Sequence, residues 1–148
     1  MALRQTYLSM KDKLPVDAET VLVMIGRGND ELAPSRELLA DFNRHKTEYR
    51  PEFGHPTAFH YAWEKSNYEH RFREVILSRP KALERLKALS EASREKDIYL
   101  VCYEGEDKPC HRKLLLQIAR EEFGAEVDAR PFDPLDESRN EEGHLALF

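Results

Sequence analysis

Cysteine is scarce in this chain, with two among 148 residues. That is too few for the disulfide framework that holds small secreted domains, and a reducing compartment would keep both as thiols. Long apolar runs are missing as well, since no stretch approaches the roughly 20 residues a membrane-spanning helix needs. Residues 1–13 contain no continuous apolar core of signal-peptide length, so the expected location is the cytoplasm. An excess of positive charge is also absent: 23 basic and 28 acidic residues are mixed along the chain and leave a net charge of −5. Nucleic acid bound across a broad basic face is therefore not expected, although a small local anion site stays open. There is no internal repeat and no low-complexity linker. A chain of this length forms one domain that buries roughly 70% of its unfolded surface.

Several well-known sites are missing too. The residue six places after Cys110 is Leu116, so the arginine of a Cys-x5-Arg phosphatase loop is lacking. Gly26-Arg27-Gly28 is a Gly-x-Gly fragment, without the third glycine of a dinucleotide fingerprint or the Lys-Ser/Thr of a P-loop. No Gly-x-Ser-x-Gly elbow occurs.

What is present alternates between strand and helix patterns. Residues 3–8 alternate as a short strand, and the apolar run Val21 to Ile25 reads as a central strand ending at Gly26. Ser35 stands as the N-cap of a helix carrying Leu38, Leu39 and Phe42, and the stretch from Glu48 to Pro56, with two prolines and a glycine, reads as irregular. Phe59, Trp63, Phe72, Val75 and Ile76 recur at helical spacing with a break near Ser66-Asn67. Pro80 then opens a helix with Leu83, Leu86 and Leu89 on one stripe. Residues 97–103 form a buried strand, residues 110–123 a helix closed by Gly124, and residues 126–130 a short edge strand. This order predicts a single-domain, three-layer α/β fold with a mostly parallel, doubly wound sheet flanked by helices. Residues 1–130 make up the domain. The tail, residues 131–148, ends in Leu145-Ala146-Leu147-Phe148, an apolar end able to dock on the body or on a second subunit, so a homodimer stays open.

The junction at residues 102–112 concentrates the reactive chemistry. Cys102 and Glu104 lie two apart on a strand and leave on one face, while Cys110, His111 and Arg112 occupy the first turn of the next helix. Unpaired backbone N–H groups and the helix dipole favour negative charge there, which lowers a thiol pKa and equally suits a phosphate or carboxylate. The plain alternatives are that Cys102 and Cys110 are small buried residues and that Arg112 is a surface ion pair. Two thiols with His111 also raise the question of metal, with His55 or His60 as a distant fourth ligand. The close pairs typical of zinc sites are absent and no metal ligand is assigned. The short spacing of a redox-active pair is missing as well.

The Cys-Tyr-Glu and Cys-His-Arg elements at 102–104 and 110–112 closely resemble the signature of the DUF488 family of small α/β proteins. Thr6-Tyr7, Ile25-Gly26-Arg27, Glu31-Leu32-Ala33-Pro34-Ser35 and Tyr68-Glu69-His70-Arg71-Phe72 resemble its other segments, so the likeness spans about residues 4–126. The resemblance implies a fold and a shared site, and names no reaction or cofactor.

The resulting expectation is a pocket at the carboxyl edge of the sheet, binding a small anionic or nucleotide-like molecule. Cys110 is the candidate nucleophile, with His111 or Glu104 moving protons. Arg112, Arg27, Cys102, Ser35 and Tyr68 are the candidate ligand contacts. Ser35 is a helix cap first, and Trp63, Tyr68 and Phe72 are core residues first, able to line a site for a flat ring. A module that senses a small anion without catalysis is the rival reading.

Overall fold

The computed structural model describes residues 1–135. The apolar end of the tail, with Asp136 and Glu137, lies outside the described residues. Four strands form one sheet in the order β2-β3-β1-β4: β1 Leu3–Tyr7, β2 Glu19–Leu22, β3 Ile98–Cys102 and β4 Val127–Asp128. Every pairing is parallel, with Leu3 opposite Ile98 and Tyr7 opposite Cys102 between β1 and β3. The helices are α1 Arg36–Glu48, α2 Ala58–Lys65, α3 Tyr68–Leu77, α4 Pro80–Ala92 and α5 His111–Phe123. The α/β fold with a parallel sheet is thus the one the alternating pattern predicts.

Strand β3 is buried along its whole length because it lies between β1 and β2 and both its faces are covered. Arg112 of α5 reaches both Gln5 and Cys102, so these side chains face the helices. On the opposite face Arg4 pairs with Asp97 and Asp128, and the ring of Tyr99 meets that of Phe132 at 5.8 Å. Helix α5 packs on β1 and β3, and α3 and α4 pack on α5. Leu115, Ile118 and Ala119 fill the seam as the helical stripe requires.

The run Val21 to Ile25 departs from expectation. Its strand starts earlier, ends at Leu22 and lies at an edge, where β2 pairs with β3 alone. Val23 N still donates to Val101 O at 2.9 Å, but Met24 and Ile25 turn into a hollow beside the helices. The run is apolar because helices and hollow cover it, and a central strand gives the same pattern.

The helix boundaries follow local chemistry. Asn67, with φ of 52°, breaks the aromatic helix into α2 and α3, and Gly124, with φ of 65°, closes α5. Ser35 Oγ accepts from Leu38 N at 3.1 Å and so caps α1. Ser35→Ala should therefore cost about 1 kcal/mol, read as a shift in urea midpoint. An unchanged midpoint would remove the cap from the account.

Candidate functional site

Chain topology brings the ends of β2 and β3 and the start of α5 together. A hollow of about 290 Å³ opens there, near the lower end of small-molecule sites. Its floor holds Cys102, Cys110 and His111. Glu104 and Tyr103 form one wall, and Phe42, Phe59, Trp63 and Tyr68 from the helices form the other. The aromatic wall is ordered: Trp63 stacks on Tyr68 with centroids 4.1 Å apart, and Tyr68 stacks on Phe72 at 6.0 Å. Sequence reading treats Trp63 and Tyr68 first as core, because a stripe at helical spacing looks the same whether it packs on protein or borders a hollow.

Cys102 and Cys110 are joined by a disulfide. The reading of the sequence expects two thiols and no redox pair, because the spacing is long. The pairing arises because Cys102 ends β3 and Cys110 is the N-cap of α5, so the intervening loop folds one back over the other. In this state neither sulfur is a nucleophile.

His111 is 8% exposed, with its accessible part at the hollow. Its Nε2 lies 2.8 Å from Val23 O. A carbonyl only accepts, so Nε2 carries the proton and the Nδ1 lone pair is left facing Cys110 Sγ, 3.7 Å away. Burial pushes this imidazole down to about 4, the bond to Val23 opposes the shift, and the nearby charge of Arg112 adds to it. The ring is therefore neutral near pH 7. Burial, and then the negative charge of Glu104, pushes the phenol of Tyr68 above its usual range.

Arg112 is fully buried and is not among the residues lining the hollow. Nε donates to Gln5 Oε1 at 2.7 Å and Nη1 to Glu104 O at 2.7 Å. Nη1 also lies 2.9 Å from Cys102 Sγ, and Nη2 pairs with Glu106 at 3.5 Å. The guanidinium thus fastens the 104–106 loop and Cys102 to the sheet. Arg27, between two glycines of positive φ, is not among the lining residues and meets the hollow only through Tyr103. Its guanidinium lies over the Tyr103 ring at 5.7 Å and donates to the phenol oxygen at 3.2 Å. Ser35 is not among the lining residues, although its neighbour Pro34 is.

Sequence reading misses Lys108. Its ammonium lies 5.8 Å from the centre of the ring of Phe59, a lining residue, although Lys108 does not itself line the hollow. The clue available is its place in the short loop joining the two cysteine elements. Among the described residues, Cys102, Cys110 and His111 form a group able to hold a metal, with ligand atoms within 4.8 Å of one another.

No curated protein and no solved structure matches the chain. A family model described as the active DUF488-N3 subclade matches residues 29–122, which include most of the hollow's lining. That span is well over half of the 148 residues, and the chain belongs to the DUF488 family.

Proposed function

We propose that this chain is a thiol-dependent enzyme acting on a small anionic, nucleotide-like compound. The observation that carries the reading is Cys110 Sγ beside the unprotonated Nδ1 of His111, at 3.7 Å, on the floor of a hollow with an aromatic wall. A thiol next to a neutral base is the usual arrangement for nucleophilic attack. The working form is the reduced one. A dithiol reductant supplies two electrons and two protons, the sulfur–sulfur bond breaks, and Cys102 and Cys110 become thiols while the reductant becomes a disulfide.

In that form His111 Nδ1 lies beside the Cys110 thiol as a hydrogen-bond acceptor. Glu104, on the adjoining wall, is the proton carrier. Trp63 and Tyr68 present a flat surface to a ring. Arg27 and Lys108, held against the lining rings of Tyr103 and Phe59, supply positive charge for a phosphate or carboxylate that stays near solvent. Arg112 acts through Cys102 and the Glu104 loop, as a positioning residue.

Trp63 is the single tryptophan and lines the hollow, so its fluorescence reports on that site. Titrating the reduced protein with nucleoside monophosphates should give saturable quenching. In the double variant Arg27→Ala, Lys108→Ala, monophosphate binding should weaken about 10-fold or more, with nucleoside binding little changed. Iodoacetamide near pH 7 should modify Cys110 rapidly, and the bound monophosphate should slow this. Quenching with an inert Cys110 would favour the non-catalytic sensor. No quenching together with an inert Cys110 would end the proposal.

A further inference from the structure

We propose that the reduced chain holds one zinc ion between Cys102 Sγ, Cys110 Sγ and His111 Nδ1. Three independent features converge on it. The three ligand atoms already lie within 4.8 Å of one another, although the residues come from a strand end and a helix start. His111 spends its Nε2 proton on Val23 O at 2.8 Å. A backbone carbonyl on the far nitrogen is the partner that orients metal-binding imidazoles, fixing the tautomer and aiming the other lone pair at the ion. Arg112 Nη1 lies 2.9 Å from Cys102 Sγ, and a charged donor on sulfur favours the thiolate that zinc requires.

The spacing of the backbone also suits an ion. The Cα atoms of Cys102 and Cys110 stand 7.6 Å apart, against roughly 4.4–6.8 Å for most disulfides. With Zn–S bonds of about 2.3 Å in tetrahedral geometry, two thiolates sit about 3.8 Å from each other, and a wider Cα separation accommodates them. Two thiolates and one imidazole select a borderline-soft ion, whereas magnesium and calcium take oxygen ligands. All three residues line the hollow, so the fourth position faces its interior. A site with three protein ligands and an open side leaves room for water or a substrate atom.

The disulfide is then the metal-free counterpart of the same site. Loading zinc on the dithiol releases two protons, one from each sulfur. A peroxide that takes two electrons from the two thiolates, with two protons from solvent, leaves the disulfide, free zinc and two molecules of water (or water and alcohol). Metal binding is thereby coupled to redox state through a single pair of sulfur atoms.

The inference goes beyond the enzyme reading and occupies the same atoms: zinc on Cys110 Sγ and His111 Nδ1 blocks attack and proton transfer there, so the thiol chemistry belongs to the metal-free dithiol. Protein reduced with a phosphine and freed of metal should bind one equivalent of Co²⁺ with a thiolate-to-cobalt charge-transfer band and the visible bands of a tetrahedral complex. Zinc should displace it, and hydrogen peroxide should abolish the spectrum. Cys102→Ser and His111→Asn should each weaken cobalt binding at least 10-fold, with near-ultraviolet circular dichroism confirming the fold. Should His111→Asn not fold, zinc protection of both wild-type thiols against iodoacetamide takes its place. No cobalt spectrum in the reduced wild type, an unaltered one in Cys102→Ser, or thiols alkylated equally fast with and without zinc would each overturn the proposal. Zinc uptake without nucleotide quenching of Trp63, or the reverse, separates this inference from the enzyme reading.

Discussion

Methionine in place of Arg112 should destabilise the protein by about 3 kcal/mol, seen as a lower urea midpoint at unchanged slope. The side chain is fully buried and connects three separate parts of the chain. Without it, Gln5 Oε1 and Glu104 O lose their charged donor inside the protein. Each buried acceptor left unpaired costs about 1–3 kcal/mol, and relief from burying a cation offsets part of the sum. Glu106 is 22% exposed and can turn to water, so it adds little. Lysine at this position is a stricter test, because it keeps the charge and loses the fork. One ammonium cannot replace the guanidinium's bonds to Gln5, Cys102 and Glu104 O together, so Arg112→Lys should recover less than half of the loss. An Arg112→Met variant as stable as the wild type would show that these bonds do not hold the loop.

The same residue shows where sequence reading reaches its limit. Cys110, His111 and Arg112 follow one another on the first turn of α5, and the pattern correctly places them at a strand-to-helix junction. Which way each side chain points depends on what packs above it. His111 turns towards Val23 and the hollow, whereas Arg112 turns into the sheet towards Gln5. The polar residues of β1 hold the only advance sign: Gln5 in the middle of a buried strand needs a partner, and nothing in the sequence says that the partner is 107 residues away. Helices were legible because caps and breakers are local, as Ser35, Asn67, Pro80 and Gly124 show. Strand order was not, since Val21 to Ile25 carries the same apolar pattern at an edge beneath helices as it would in the centre of a sheet. The disulfide was illegible for a related reason. Spacing along the chain describes a loop's length, whereas pairing depends on the angle at which β3 and α5 meet.

Phe72→Ala should cost about 3–5 kcal/mol and also disturb the hollow, although Phe72 is not among its lining residues. The ring is completely buried, 5.4 Å from the imidazole of His111 and 6.0 Å from the ring of Tyr68. Its removal leaves a void beneath both, and Tyr68 in turn backs Trp63. Leu86→Ala provides the control, because Leu86 is equally buried in the core, on α4, and is also absent from the hollow's lining. Its loss should cost about 2–5 kcal/mol and leave the emission of Trp63 unchanged. The Phe72 variant should shift that emission under conditions where both proteins remain folded. If the two variants lose comparable stability and neither alters Trp63, the stacked rings act as separate fillers. A shift confined to Phe72→Ala means that one column of side chains, from Phe72 through Tyr68 to Trp63, sets the shape of the wall facing the cysteines.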